Sequence, residues 1–246
     1  VPNGGKFLAL VGSRFAYETT GEDNQEIIGG RYQVDATTGL YKIHSSTSEV
    51  VGNREPKFIG GLNNTFHIKD LTLSFLLDFR IGGDVYNGTE YYMVSNGLSK
   101  RTLENGREYV TVTGVDSKTG ADINQTYYAD QSYDINGVTY SGKAMIKKYW
   151  DNYCSNSYNF ITSVNWLKLR SLSVSYDFTK LIKRQNVIKR LSVTATGTNL
   201  FTWTNYKGMD PEVSTAGGTG GSGATGIDYC SVPSTSSFSF GVNLTF

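Results

Sequence analysis

Few residues in this sequence are of types that do covalent or metal chemistry, and their spacing does not assemble a site. The two histidines, His44 and His67, lie far apart, with none of the close pairing that a zinc centre uses. A Ser-His-Asp triad would have to be built around one of them, and nothing in their surroundings marks either. The two cysteines, Cys154 and Cys230, fit one disulfide or two free thiols, and the count alone does not decide. One close carboxylate pair stands out, Asp210 and Glu212, but Pro211 between them reads as a turn. A glycan hydrolase needs two carboxyl groups about 5–10 Å apart, and this is the only conspicuous candidate. The sequence therefore reads as a protein without catalytic, metal or cofactor residues.

The last ten residues set the theme. In Ser237–Phe246 the even positions Phe238, Phe240, Val242, Leu244 and Phe246 are apolar, and the odd positions are small or polar. A sustained period of 2 is a β-strand with one dry face and one wet face. About ten residues also suffice to cross a bilayer as a tilted strand. An edge strand of a soluble sandwich fits the same segment. Composition agrees with an all-β protein: 17 Tyr and 28 Gly stand beside only 4 Pro, and aromatic residues make up 13%. Charge is balanced, 23 basic against 22 acidic, so no field draws the chain to nucleic acid or to an anionic surface. No apolar run approaches the 18 or so residues of a membrane helix, which leaves a spanning barrel open because its residues alternate. The first residues, Val1-Pro2-Asn3-Gly4-Gly5, do not resemble a signal peptide, so the start is expected to be a processed or internal point of a longer polypeptide.

Strands are expected near 7–18, 57–68, 71–82, 165–178, 190–203 and 236–246, about six in all. In the first, Phe7, Ala9, Val11, Phe15 and Tyr17 share a face. The second and third form a hairpin around Lys69-Asp70. There Leu71, Leu73, Phe75, Leu77, Phe79 and Ile81 face one way and Thr72, Ser74, Leu76, Asp78 and Arg80 the other. Charges at Asp78 and Arg80 require that their side is wet or that they are paired. In the fourth strand Leu167 and Leu169 are out of phase with Leu172, Val174, Tyr176 and Phe178, which predicts a bulge near Arg170. Between these strands, 19–56 reads as a long loop. The stretch 82–164 reads as a very long irregular one, rich in Tyr, Asn, Gly and Ser. Its aromatic density suits binding of sugars or peptides, or simple packing of the loop on its neighbours.

The connections alternate strictly: long, tight, very long, short, long. In an antiparallel up-and-down sheet this puts every long loop at one end. An outer-membrane barrel has that asymmetry, with long external loops and short periplasmic turns. Six strands cannot enclose a lumen, since the smallest such barrels have about eight. The expected fold is thus all-β, an antiparallel transmembrane β-barrel segment with long extracellular loops.

Particular residues then carry a family resemblance. The run Asn199-Leu200-Phe201-Thr202-Trp203-Thr204-Asn205-Tyr206-Lys207-Gly208-Met209-Asp210-Pro211-Glu212-Val213 resembles a signature near the C-terminus of SusC/RagA-type TonB-dependent transporters. Trp166–Tyr176 and Ser237–Phe246 resemble two of their barrel strands. Glu55-Pro56-Lys57-Phe58 with Gly60-Gly61, and Gly83–Asn87, resemble their upstream hairpin. The resemblance implies a barrel of about 22 strands, of which residues 1–246 are the C-terminal portion, with the plug domain and N-terminal strands absent from this chain. It implies import of oligosaccharides or oligopeptides across a Gram-negative, Bacteroidetes-like outer membrane, with a SusD-like surface lipoprotein as partner and the TonB complex as energy source. No enzyme activity and no cofactor follow from it. On this reading Phe75, Phe79, Val174, Tyr176, Phe240 and Leu244 meet lipid, while Asp78, Arg80 and Asn243 face the lumen. Tyr149, Trp150, Tyr153, Asp210 and Glu212 are the candidates for cargo or lid contact, and Phe246 for an assembly signal. Cys154 and Cys230, each in a long loop just before a descending strand, are expected to form an external disulfide. The Gly217–Gly226 run matches no motif. The rival reading is a secreted, soluble β-sandwich that binds carbohydrate.

Overall fold

The computed structural model describes residues 8–20, 25–46, 48–182, 187–212 and 226–246. Most of the glycine run from Gly217, and Phe7, lie outside them. The chain forms two compact units, one of residues Glu55–Asp84, Ser163–Gly226 and Ser231–Phe246, the other of Val1–Arg54, Val85–Thr162 and Ile227–Cys230.

The first unit is built on one five-stranded sheet. Its strands are β1 (Phe58–Ile68), β2 (Leu71–Ile81), β3 (Trp166–Asp177), β4 (Arg190–Thr204) and β5 (Ser237–Thr245). They lie in simple order, β5-β4-β3-β2-β1, and every pair is antiparallel. Each begins and ends within one or two residues of the alternation in the sequence. Lys69, at positive φ (56°), makes the tight turn from β1 to β2. The short connections, 69–70 and 178–189, join strands at one end of the sheet, and the two long ones leave from the other end. The expected bulge is present: the register of β3 shifts between Leu169 and Ser171 against both β2 and β4. Its effect is to bring Leu167 and Leu169 onto the face that also carries Leu172 and Val174.

The expected first strand does not join this sheet, so the sheet has five strands rather than six. Only Ala9–Gly12 is a strand, and it pairs with Glu49–Asn53 in the other unit. The reason lies in its aromatic residue: Phe15 is fully buried, edge-on to Tyr32 and tilted against Tyr41, so its apolar side serves an interior.

The stretch 82–164 is not irregular, which corrects the expectation from composition. Tyr109–Asp116 and Asp122–Tyr128 form a hairpin, joined on its other side by the short strand Gln33–Asp35. Two helices follow the same logic of burial: α1 (Gly88–Ser95), capped by the Asn87 side chain, and α2 (Gly142–Cys154), capped by Ser141. In α2, Met145, Ile146, Tyr149, Trp150 and Tyr153 recur at helical spacing and face the hairpin and its neighbours. Val34, Leu40, Val110, Val112, Tyr127, Met145 and Ile146 make the core. Gly142 is required where the helix begins, because a Cβ there would stand 1.7 Å from the Tyr128 carbonyl oxygen.

Candidate functional site

The sheet of the first unit has two faces of opposite chemistry, and the strand register shows it row by row. Residues directly opposite across a sheet share a face. One row runs Phe66, Leu73, Val174, Ala195, Phe240, and the next Asn64, Phe75, Leu172, Gly197, Phe238. Aromatic rings stack within this face, Phe58 on Phe79 at 5.5 Å and Phe66 on Phe75 at 6.1 Å. Yet the face is uncovered: Phe240 is 81% exposed and Phe238 71%. Burying such rows in water-free surroundings is worth about 25 cal/mol per Å², so an uncovered face of this kind marks contact with an apolar phase or partner.

The opposite face carries rows such as Thr65, Ser74, Ser173, Thr196, Ser239 and His67, Thr72, Ser175, Thr194, Gly241. Hydroxyls pair across strands here, Thr65 with Ser74 at 3.0 Å and Ser173 with Thr196 at 2.9 Å. Asp78, Arg80 and Asn243 all lie on this polar face, opposite Lys168, Trp166 and Ser192 respectively.

At the end of the polar face from which the long connections leave, five charged groups meet. The Lys168 ammonium, only 2% exposed, donates to Asp210 at 2.8 Å and to Glu212 at 2.6 Å. Arg170, on the bulge, donates to Asp78 at 2.9 and 3.1 Å and also grips Glu212 through two nitrogens, one of them at 2.7 Å. Asp78 is thus paired with Arg170 rather than with Arg80. Asp210 takes two further bonds, from the Ser234 amide (3.0 Å) and hydroxyl (2.7 Å), and a third from the Glu212 amide at 3.0 Å. Burial pushes the Asp210 carboxyl up, but the hydrogen bonds from Lys168, Ser234 and Glu212 outweigh it and hold the group far below the usual carboxylate range. Glu212 is also lowered: burial opposes this, and the bonds from Arg170 and Lys168 prevail. Both cations stand over the Trp166 ring, at 5.3 Å for Arg170 and 5.8 Å for Lys168. The indole N–H of Trp166 is buried with no hydrogen-bond partner among the described residues.

The other candidates lie in the second unit, apart from Phe246, which follows β5 and is exposed. Tyr149, Trp150 and Tyr153 are half-buried on α2, ring against ring at 5.2 and 5.5 Å, with Tyr153 edge-on to Phe160. Burial pushes the Tyr149 phenol up to about 12. Tyr149 and Trp150 nonetheless line a cleft of about 200 Å³ with Glu104, Asn105 and Tyr109. The expected disulfide is not formed. Cys154 is a buried free thiol packed with Val94 and Phe160, and its Sγ faces the Tyr91 carbonyl oxygen at 4.0 Å. Cys230 is an exposed free thiol at positive φ (52°). Among the described residues no group of His, Cys, Asp and Glu side chains is arranged to hold a metal ion.

No family model matches the chain. It is, however, 25% identical to the TonB-dependent receptor P26 of Formosa agariphila across 99% of its own length, and 24% identical to the TonB-dependent receptor P39 of the same organism across 91%. Its sequence is similar to these TonB-dependent receptors. It spans 22% and 19% of the lengths of those two receptors. Its fold is similar to part of the RagAB peptide importer in the open-open state, with a TM-score of 0.54 at 19% identity, covering 97% of this chain and 22% of that one. A second state of the same importer, closed-closed, gives a TM-score of 0.50. The expected SusC/RagA-type resemblance thus agrees with both comparisons, and these relatives are receptors and importers rather than enzymes. No helix among the described residues is long and apolar enough to cross a membrane, which leaves strands free to do so.

Proposed function

We propose that this chain is the C-terminal part of the barrel of an outer-membrane importer of the TonB-dependent kind. The whole barrel would take up oligopeptides or oligosaccharides with a SusD-like surface lipoprotein as partner and TonB as energy source. The observation that carries this reading is the two-faced sheet: five antiparallel strands, one side mainly apolar and uncovered, the other rich in hydroxyls and paired charges. A lipid-facing wall and a wet lumen call for this division. The open edges at β1 and β5 would pair with the remaining strands of the same barrel. Asp78, Arg80 and Asn243 would face the lumen, and Phe246 would be read during assembly. Tyr149 and Trp150, which line the cleft with Tyr109, and Tyr153, packed on Trp150, are the aromatic residues that cargo or lipoprotein could touch. Asp210 and Glu212 are less suited to that role, because Lys168 already engages both and Arg170 engages Glu212 as well.

The test is to express the full-length protein in a Gram-negative host, fractionate the membranes and compare gel mobility before and after boiling. An outer-membrane protein whose mobility shifts on heating supports the reading. Recovery in the aqueous fraction without detergent would count against it and favour a soluble sandwich.

A further inference from the structure

The ion-pair cluster has a topological peculiarity that barrel membership does not require. Asp210 and Glu212 lie on the arm of chain that leaves β4, and Ser234 lies on the arm that returns to β5. Both arms meet at a single carboxylate. One Asp210 oxygen takes the Lys168 ammonium and the Glu212 amide of the outgoing arm, and the other takes the amide and hydroxyl of Ser234 on the returning arm. Lys168 itself projects from the polar face of β3, opposite Asp78 and Thr202, and is almost wholly covered. Glu212 reaches past it to Arg170 and, through Arg170, to Asp78 on β2.

We infer that Asp210 is a latch that joins the two arms of the β4–β5 connection and folds its base inward over the polar face, with Lys168 and Arg170 as the anchor. In the barrel read above, on which this inference rests, the base of this connection occupies the lumen side rather than standing out from the rim. It therefore borders the cargo path, and Asp210 and Glu212 position it instead of binding cargo. The latch also keeps two cations neutralised beside Trp166. Opening it would strip Lys168 of both its carboxylates and leave Arg170 to Asp78.

Three features support a latch over a chance surface pairing. The anchor lysine is 2% exposed, where surface pairs contribute little. Its two carboxylates come from one short segment, so both bonds form or break together. The Asp210 carboxylate accepts four hydrogen bonds, more than a solvated group holds in fixed geometry.

The test is amide hydrogen exchange on the full-length transporter in detergent, comparing the natural protein with Asp210→Ala and with the double variant Lys168→Met/Asp210→Asn. The double variant removes both charges and leaves no buried ion without a partner, so it keeps the test open where the single variant does not fold. The inference expects peptides covering Glu212 and Ser234 to gain exchange together, by about tenfold or more, as bonds to a charged group are lost. Strands β2, β3 and β4 should keep their protection. It is overturned if only one arm responds, if neither does, or if the strands open along with the arms, since the cluster would then be part of the sheet's own stability. Recovery of the protein from the aqueous phase would remove the barrel reading while leaving the exchange result to judge the latch.

Discussion

At the scale of single residues, the chemistry here is positional. Lys168 is the side chain with most at stake, because a buried ammonium without its partners is far costlier than a missing hydrogen bond between neutral groups. Removing Asp210 as Asp210→Ala leaves Glu212 to hold it and should destabilise the unit by about 2–3 kcal/mol in a denaturant titration of the full-length protein. The pH dependence has a definite sign. The carboxyls of Asp210 and Glu212 are lowered in the folded state. Their contribution is therefore complete above the unfolded carboxylate range, about pH 4, and is lost as pH falls through their folded values. The natural protein should lose more stability between about pH 5 and pH 3 than the Lys168→Met/Asp210→Asn variant, which keeps only Glu212 and its bond to Arg170, and equal slopes would show that Asp210 is not held as described. The thiols give an independent check. Burial pushes Cys154 up to about 11, so maleimide at pH 7.5 should modify the peptide containing Cys230 and leave that of Cys154 untouched until the protein is denatured without reductant. Modification of neither after denaturation would mean that they are bonded after all.

At the scale of elements, what the sequence made legible depended on whether one period ran through a whole segment. The five long strands did so, and even the bulge could be placed, because Leu167 and Leu169 break phase with Leu172. The aromatic stretch 82–164 defeated the same reading for a physical reason. Tyr and Asn are indifferent helix formers, and they hid the helical spacing of Met145, Ile146, Tyr149, Trp150 and Tyr153 behind Ser141. Val110 and Val112 alternate with Thr111 and Thr113, a strand signal that the loop-like composition around them masked. The ion-pair cluster could not have been found from sequence, because Lys168 and Asp210 are 42 residues apart and nothing local links them. The strand faces yield a sharp prediction. Val174→Arg puts a charge on the apolar face in mid-strand and should cost about 2–4 kcal/mol of stability in a bilayer, whereas Ser173→Arg, one residue away on the polar face, should cost far less. The measurement is refolding into lipid vesicles with denaturant titration. Equal effects at the two positions would remove the distinction between the faces.

At the scale of the whole chain, the two units differ in how their apolar surface is covered. The unit with the helices closes a core of its own around Val112, Tyr127 and Met145, all nearly inaccessible. The sheet does not: its apolar rows lie open, and among the described residues β1 and β5 are its edges, each with a free line of backbone donors and acceptors. Such edges are pairing templates in water and are not tolerated against lipid, where every backbone group needs an internal partner. The sheet is then stable only where other strands complete it. We expect these 246 residues, produced alone, to form aggregates or mixed oligomers in detergent, with no discrete heat-modifiable monomer on a gel. Proteolysis of that material should spare the Tyr109–Tyr128 hairpin with α2 and cut within the long strands, since the first are held by their own core and the second are not. A monodisperse, protease-resistant monomer in detergent-free buffer would sink the argument: the sheet would then have to bury its apolar face against itself or a partner, as a soluble sandwich does.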